Sequence, residues 1–197
     1  MTVTAAAGQG AARRIIQASG RWQAARPGVL VVAIDGHGGA GKSTIAAAVA
    51  EATGAALVHT DDFFQQPPAR PALAEYYDWR RIRAQALDPL KAGRRATFRR
   101  FDWERRQGLD GTTVTVKPAA LIVLEGVLSA APELSDLVDR SVLVGTPEPE
   151  RLRRLRARLT PDEWDPDWLI AEQAYFDGIR PASSFDLLVS GMSIEPA

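Results

Sequence analysis

Cysteine is absent from the 197 residues, which excludes disulfides, thiolate metal sites and a cysteine nucleophile. Net charge is absent as well. The 24 basic side chains cancel the 24 acidic ones, so no global field draws the chain to nucleic acid or to an anionic membrane, and any positive patch must be local. No apolar run approaches the length of a membrane span; the longest, residues 29–34 and 119–124, are of strand size. The N-terminus has no basic segment followed by an apolar core, so no secretory signal is expected and a cytoplasmic location is the default expectation.

What is present suffices for one proper core: 46% of the residues are hydrophobic, and the length falls in the single-domain range. A single domain over residues 1–197 is expected, with residues 1–8 as a flexible tail. Residues 9–25 can form a helix that ends at Pro27 and Gly28. Residues 29–34 are a continuous β-branched run, as a central parallel strand buried on both faces requires. A glycine-rich turn follows, then an alanine-rich helix over 42–52 that stops near Gly54. Residues 55–59, 119–124, 141–145 and 185–189 read as further strands, and 112–116 alternates like an edge strand. Residues 73–93 read as mostly helical with a break at Pro89, and the arginine-rich stretch after Pro149 reads as helix. Strands alternating with helices predict an α/β fold with a mostly parallel sheet.

The turn carries the first chemical signal. Gly36, His37, Gly38, Gly39, Ala40, Gly41, Lys42 and Ser43 satisfy G-x-x-x-x-G-K-[ST], the Walker A pattern of a P-loop, and lie between a strand and a helix. Glycines let successive backbone N–H groups converge on phosphate oxygens, and the helix N-terminus adds its positive dipole end. Gly36, Gly38, Gly39, Ala40, Gly41, Lys42, Ser43 and Thr44 are therefore the expected nucleotide-binding residues. Lys42 would reach the β- and γ-phosphates of ATP, and the Ser43 hydroxyl would ligate Mg²⁺. His37 is read as a tolerated side chain within the loop.

A second site must choose among P-loop proteins. His59, Thr60, Asp61, Asp62, Phe63 and Phe64 follow the next expected strand, on the same carboxyl edge of the sheet, where ligands of open α/β sheets collect. Here the chain resembles the uridine kinase, nicotinamide riboside kinase and phosphoribulokinase-like family of P-loop kinases, whose equivalent strand ends in Asp-x-Phe-Tyr or Asp-Asp-Phe-Phe. The resemblance implies a P-loop NTPase three-layer α/β/α fold with a small helical lid, at about residues 151–175. It also implies that Asp61 takes the proton of the attacking hydroxyl and helps hold the metal's water shell, with Phe63 and Phe64 packed beneath the acceptor. The alternative for Asp61 and Asp62 is a turn cap.

Asp78, after Tyr76 and Tyr77, resembles the family's ribose-holding aspartate, with the N-cap of the following helix as its rival. Residues 100–106 resemble the uridine kinase Tyr-Asp-Phe-x-x-His segment that reads the base. Phe101 stands for the tyrosine and Arg106 for the histidine, which removes a hydroxyl and adds a fixed charge, so that an acceptor with an anionic group becomes conceivable. Glu125, before Gly126, resembles the family's strand ending in Glu-Gly. By that resemblance it holds a magnesium water or an acceptor hydroxyl; the alternative is a simple polar strand end.

Arg151, Arg154 and Arg158 share one spacing, and Leu152, Leu155 and Leu159 share the same spacing on the neighbouring face. The stretch resembles the family's lid helix, whose arginines clamp phosphates, so Arg154 is expected on the nucleotide and Arg158 on the transferring phosphoryl group. The family's further lid arginines are replaced by the acidic stretch 160–166; Trp164 and Trp168 belong either to the core or to the acceptor's cover.

Together these features predict an ATP- and Mg²⁺-dependent kinase for a small hydroxylated molecule, a nucleoside first. Pantothenate, glycerate or a sugar phosphate is the alternative acceptor, and a regulatory nucleotide switch or a silent binding module the alternative class. No nucleic-acid or membrane partner is expected, and a homo-oligomer is compatible with the sequence.

Overall fold

Five consecutive apolar residues closed by one acid, Leu30–Asp35, form strand β1, and every one of the six is buried. The structure, a computed structural model, describes residues 3–65, 73–158 and 166–192, with the backbone alone for 3–8 and 73. Ahead of β1 runs α1 (Val3–Ala25), and after the glycine turn comes α2 (Lys42–Thr53). Strand β2 (Ala56–His59) leads into a 3₁₀ turn, Thr60–Phe63. A second 3₁₀ turn, Leu73–Tyr76, precedes the short α3 (Trp79–Arg81), a π-helical segment Ile82–Leu87 and α4 (Asp88–Lys91). Then follow β3 (Ala96–Phe101), β4 (Leu109–Val116), β5 (Leu121–Glu125), β6 (Arg140–Gly145), α5 (Glu148–Arg158), α6 (Pro166–Ala174), a π-helical segment Tyr175–Ile179 and β7 (Leu187–Ser190).

Five strands form one sheet in the order β2-β5-β1-β6-β7, and every pairing in it is parallel. Alternation along β1 divides the core. Leu30, Val32 and Ile34 face the layer of α1 and α2, packing with Ile15, Ile45 and Val49, whereas Val31 faces the opposite layer with Ile82, Leu87 and Leu90. The result is the expected three-layer α/β/α fold with a mostly parallel sheet.

Several expectations change in detail. The first helix starts at Val3 rather than at residue 9, so most of the expected tail is helical; Ala5, Ala6 and Ala7 are the strongest helix formers and extend it. Pro89 does not break the 73–93 stretch. It sits in the first turn of α4, and the turn just before it widens to π geometry, which accommodates the N–H that proline cannot donate to residue 85. The strand expected at 112–116 is longer and does not edge the main sheet: β4 pairs with β3 in a separate antiparallel hairpin, where Ala96 and Phe98 face the core. Residues 160–165, including Trp164, and Leu159 lie outside the described residues, so the acidic stretch between α5 and α6 does too.

One glycine is demanded by close packing. Gly126, at φ 137°, ends β5 where a Cβ would stand 1.8 Å from the Thr60 hydroxyl oxygen. Gly126→Ala should therefore cost at least about 2 kcal/mol of unfolding free energy, read as a lower denaturant midpoint at unchanged slope.

Candidate active site

Strands β1, β2 and β5 end level with one another, Ile34 and His59 both being in register with Glu125, and the chain beyond each end builds the site. Residues 36–41 turn from β1 into α2. The Lys42 ammonium folds back over the turn and donates to the His37 carbonyl at 3.0 Å. The N–H groups of Gly39 and Gly41, and those of the first helical turn, Lys42, Ser43 and Thr44, find no acceptor among the described residues. They form a concave set of donors with the α2 dipole behind it, which is an anion site. The Ala40 side chain is buried in the core, and its carbonyl accepts the Thr146 hydroxyl at 2.9 Å, so this residue contributes backbone alone.

Facing the turn stand the acids. Glu125, 3% exposed, accepts the Ser43 hydroxyl at 3.4 Å on one oxygen and pairs with His59 Nδ1 at 2.5 Å on the other. That bond holds the His59 pKa above its ordinary value. Asp61 follows in the 3₁₀ turn, open to the cleft yet ringed by protein. Loss of hydration raises its carboxyl pKa and the Glu125 charge adds to this, against the pull of Lys42, His59 and Arg158. The Tyr77 hydroxyl donates to the same carboxylate at 3.4 Å. Asp61, Glu125, Ser43 and Lys42 are thus brought together as expected, with Arg158 near enough for its charge to be felt at Asp61.

Other expected residues land elsewhere. Phe63 cannot lie beneath an acceptor: it is fully buried against Phe98, with the Arg81 guanidinium over its ring, because the 3₁₀ turn rotates it into the core. Phe64, half-buried, is the ring on the cleft side, and with Tyr76, Phe101, Trp103 and Trp168 it makes an aromatic wall with centroids 4.8–6.3 Å from its own. Within this wall Phe101 is buried, while Trp103 is 49% exposed. Asp78 caps α3, accepting the Arg81 N–H at 3.0 Å. Arg106 sits exposed in the hairpin turn at φ 53°. Asp62 is an anchor, paired with Arg100 of β3 at 3.3 Å.

The arginine face of α5 divides its work. Arg151 is buried, its guanidinium 3.6 Å from Glu172. Arg154 donates to the Gly39 and Gly191 carbonyls at 3.3 Å each and to Glu150 at 2.8 Å, lying against the outer wall of the turn. Two acids that the sequence reading missed are Asp35 and Glu172, both sealed from solvent. Asp35 accepts from Gly36, Leu128 and Ala130 N–H groups at 2.7, 3.0 and 3.0 Å and from the Tyr175 hydroxyl at 2.9 Å. An acid closing an apolar run directly before the glycine turn was the available signal for it. His37, stacked 4.2 Å from Phe176, is neutral: burial, then the Arg151 charge, pulls its pKa down to about 4.

No protein-family model matches the chain, and no curated protein matches it in sequence. Solved structures do. A candidate uridine kinase from Bacillus stearothermophilus is 22% identical with a TM-score of 0.65, over 90% of this chain and 98% of that one. A candidate fructose transport system kinase from Silicibacter sp. TM1040 is 23% identical with a TM-score of 0.60, over 95% of this chain and 98% of that one. What the chain shares with them at these identities is the fold, a layered α/β architecture around a parallel sheet. Among the described residues no helix is long and apolar enough to cross a membrane.

The Asp61 environment has a measurable consequence. The folded state holds the Asp61 proton more tightly than the unfolded chain does, so ionising it as pH rises lowers stability. Asp61→Asn should accordingly unfold at a higher temperature than wild type at pH 7. Thermal scans across pH should show the gap closing toward the ordinary aspartate value of 3.8.

Proposed function

We propose that the chain is an ATP-dependent kinase that transfers the γ-phosphoryl group to a hydroxyl of a small, nucleoside-like molecule. The observation that carries this reading is the convergence of two carboxylates, Asp61 and Glu125, on the Ser43 side of the glycine turn, next to an aromatic wall. A nucleotide switch needs the turn but has no use for a second carboxylate set beside Glu125 and an aromatic wall. The two solved kinases that share the fold add support.

In this reading the unclaimed N–H groups and Lys42 bind the phosphate tail, Arg154 braces the turn toward the nucleotide, and Arg158 offsets charge on the transferring group. Asp61 receives the hydroxyl proton of the acceptor as the new O–P bond forms and the bond to ADP breaks. The Tyr77 hydroxyl, which donates to it, holds its orientation. A magnesium ion fits the donor set, because Ser43, Glu125 and Asp61 offer only hard oxygen atoms and the repulsion between the two carboxylates calls for a cation. When bound, the ion supplies charge neutralisation at the phosphate oxygens.

The acceptor ring lies against Phe64 and Trp103, with Phe101 supporting them from behind. Asp78 keeps its cap and offers its remaining oxygen to a hydroxyl. Arg106 at the hairpin turn, in place of a neutral base reader, favours a second reading in which the acceptor carries an anionic group, as a sugar phosphate does.

ADP release with Mg-ATP should depend on an added alcohol across a panel of nucleosides, pantothenate, glycerate and sugar phosphates. Asp61→Asn should lower turnover on the best acceptor by about 10²–10⁴-fold, and a mutant equal to wild type would remove the general-base role. Trp103→Ala should raise the acceptor KM about tenfold with the ATP KM unchanged; a change confined to ATP would detach the wall from the acceptor.

A further inference from the structure

Helix α6 and the π-helical segment after it lie along the first half of the glycine turn and touch it through one face. Glu172, Tyr175 and Phe176 are spaced i, i+3, i+4. Glu172 accepts the Gly38 N–H at 2.7 Å, the Tyr175 hydroxyl donates to Asp35 at 2.9 Å, and the Phe176 ring stacks 4.2 Å from His37. Of these, Glu172 is the costly one. Its side chain is fully buried, and a carboxylate is placed there only against compensating charge and hydrogen bonds. One oxygen has the Gly38 N–H. The other has no hydrogen-bond partner and stands 3.6 Å from an equally unpartnered Arg151 Nη1, itself on a buried side chain.

The placement is selective. Glu172 takes up the N–H of Gly38, while those of Gly39, Gly41 and the first turn of α2 stay unclaimed. Gly39 is pressed from the same side, since a Cβ there would stand 2.5 Å from the Arg151 carbonyl oxygen. A carboxylate at this point fixes the peptide plane between His37 and Gly38, and with it the direction in which the next donors face. It also adds a negative charge behind an anion site. Lys42, the residue meant for phosphate, and Arg151 both offset that charge, and without Arg151 Lys42 would offset it alone.

We infer that Glu172 is a positioning residue for the nucleotide's phosphate tail: held by Arg151, it clamps Gly38 and presets the glycine turn, so that α6 is part of the nucleotide site without touching the nucleotide. This rests on the reading of the turn as the ATP site. The function of Arg151 is then to keep Glu172 from competing for Lys42.

Calorimetric titration of the free protein with Mg-ATP, which needs no acceptor, tests this beside thermal unfolding of each variant. Glu172→Gln keeps an acceptor at the same reach and should bind within about threefold of wild type, whereas Glu172→Asp, one methylene short of Gly38, should bind about tenfold more weakly. Arg151→Met alone should weaken binding about tenfold, and Arg151→Met with Glu172→Gln should recover most of the loss. Leu134→Ala, a core cavity away from the turn, should lower the unfolding temperature and leave Mg-ATP affinity unchanged. Glu172→Asp with wild-type affinity overturns the inference, as does a double variant no better than Arg151→Met. Wild-type protein that takes up no Mg-ATP overturns the nucleotide reading first and this inference with it.

Discussion

The Asp35 carboxylate is the interaction on which the rest of the site depends. Closed off from solvent at the end of β1, it gathers four donors from three parts of the chain: the first N–H of the glycine turn, two N–H groups of the loop after β5, and the hydroxyl of Tyr175 beyond α6. Its burial raises its proton affinity, and those donors act against that by favouring the ionised form. An apolar residue at this position would leave the Leu128 and Ala130 N–H groups without an acceptor, and unsatisfied buried N–H groups are expensive. The carboxylate therefore welds together the loops that carry Ser43, Glu125 and the α6 contacts before any ligand arrives.

Charge around the turn is arranged on two sides. Behind it lie Asp35 and Glu172, countered by Arg151; before it lie Asp61 and Glu125, countered by His59 and Arg158. Lys42 is attracted to both sides, and its ammonium is held by a neutral carbonyl between them. Behind the turn, Asp35 is saturated by donors and Glu172 holds one backbone N–H on one oxygen with Arg151 near the other, and both shape the turn. Those in front are deliberately less well satisfied, since Asp61 has one long hydrogen bond to Tyr77 and a like-charged neighbour. Asp61 is thus less well satisfied than the sealed Asp35, the pattern expected where a carboxylate is kept for more than structure.

The local parts of this design were legible in the sequence, and the long-range parts were not. Residues 29–34 announced a buried parallel strand through composition alone, and the glycine turn announced itself through complete spacing between a strand and a helix. The strand Ala96–Phe101 was not legible because Arg99 and Arg100 interrupt its alternation. Phe63 and Phe64 were indistinguishable as neighbours in sequence; only the 3₁₀ turn after β2 decides that the first faces Phe98 and the second the cleft. Glu172 carried no local mark, since an acid on a helix is ordinarily a solvated one, and its partner Gly38 is brought to it only by the tertiary fold.

Specificity and chemistry are borne by different parts of the architecture. The groups that would handle phosphate hang from the ends of the parallel sheet and from α5, where strand register, the buried carboxylates and the Arg154 contacts with the glycine turn leave them little freedom. The rings that would meet the acceptor, Phe64, Trp103 and Trp168, come from the turn after β2, the β3–β4 hairpin and α6, and they touch one another chiefly through Phe64. Aromatic contacts tolerate sliding and tilting in a way that a buried hydrogen-bonded carboxylate does not. Substitution at Phe101 or Arg106, at the end of β3 and in the hairpin turn, is therefore expected to change the aromatic side of the site while the contacts around the glycine turn stay as they are.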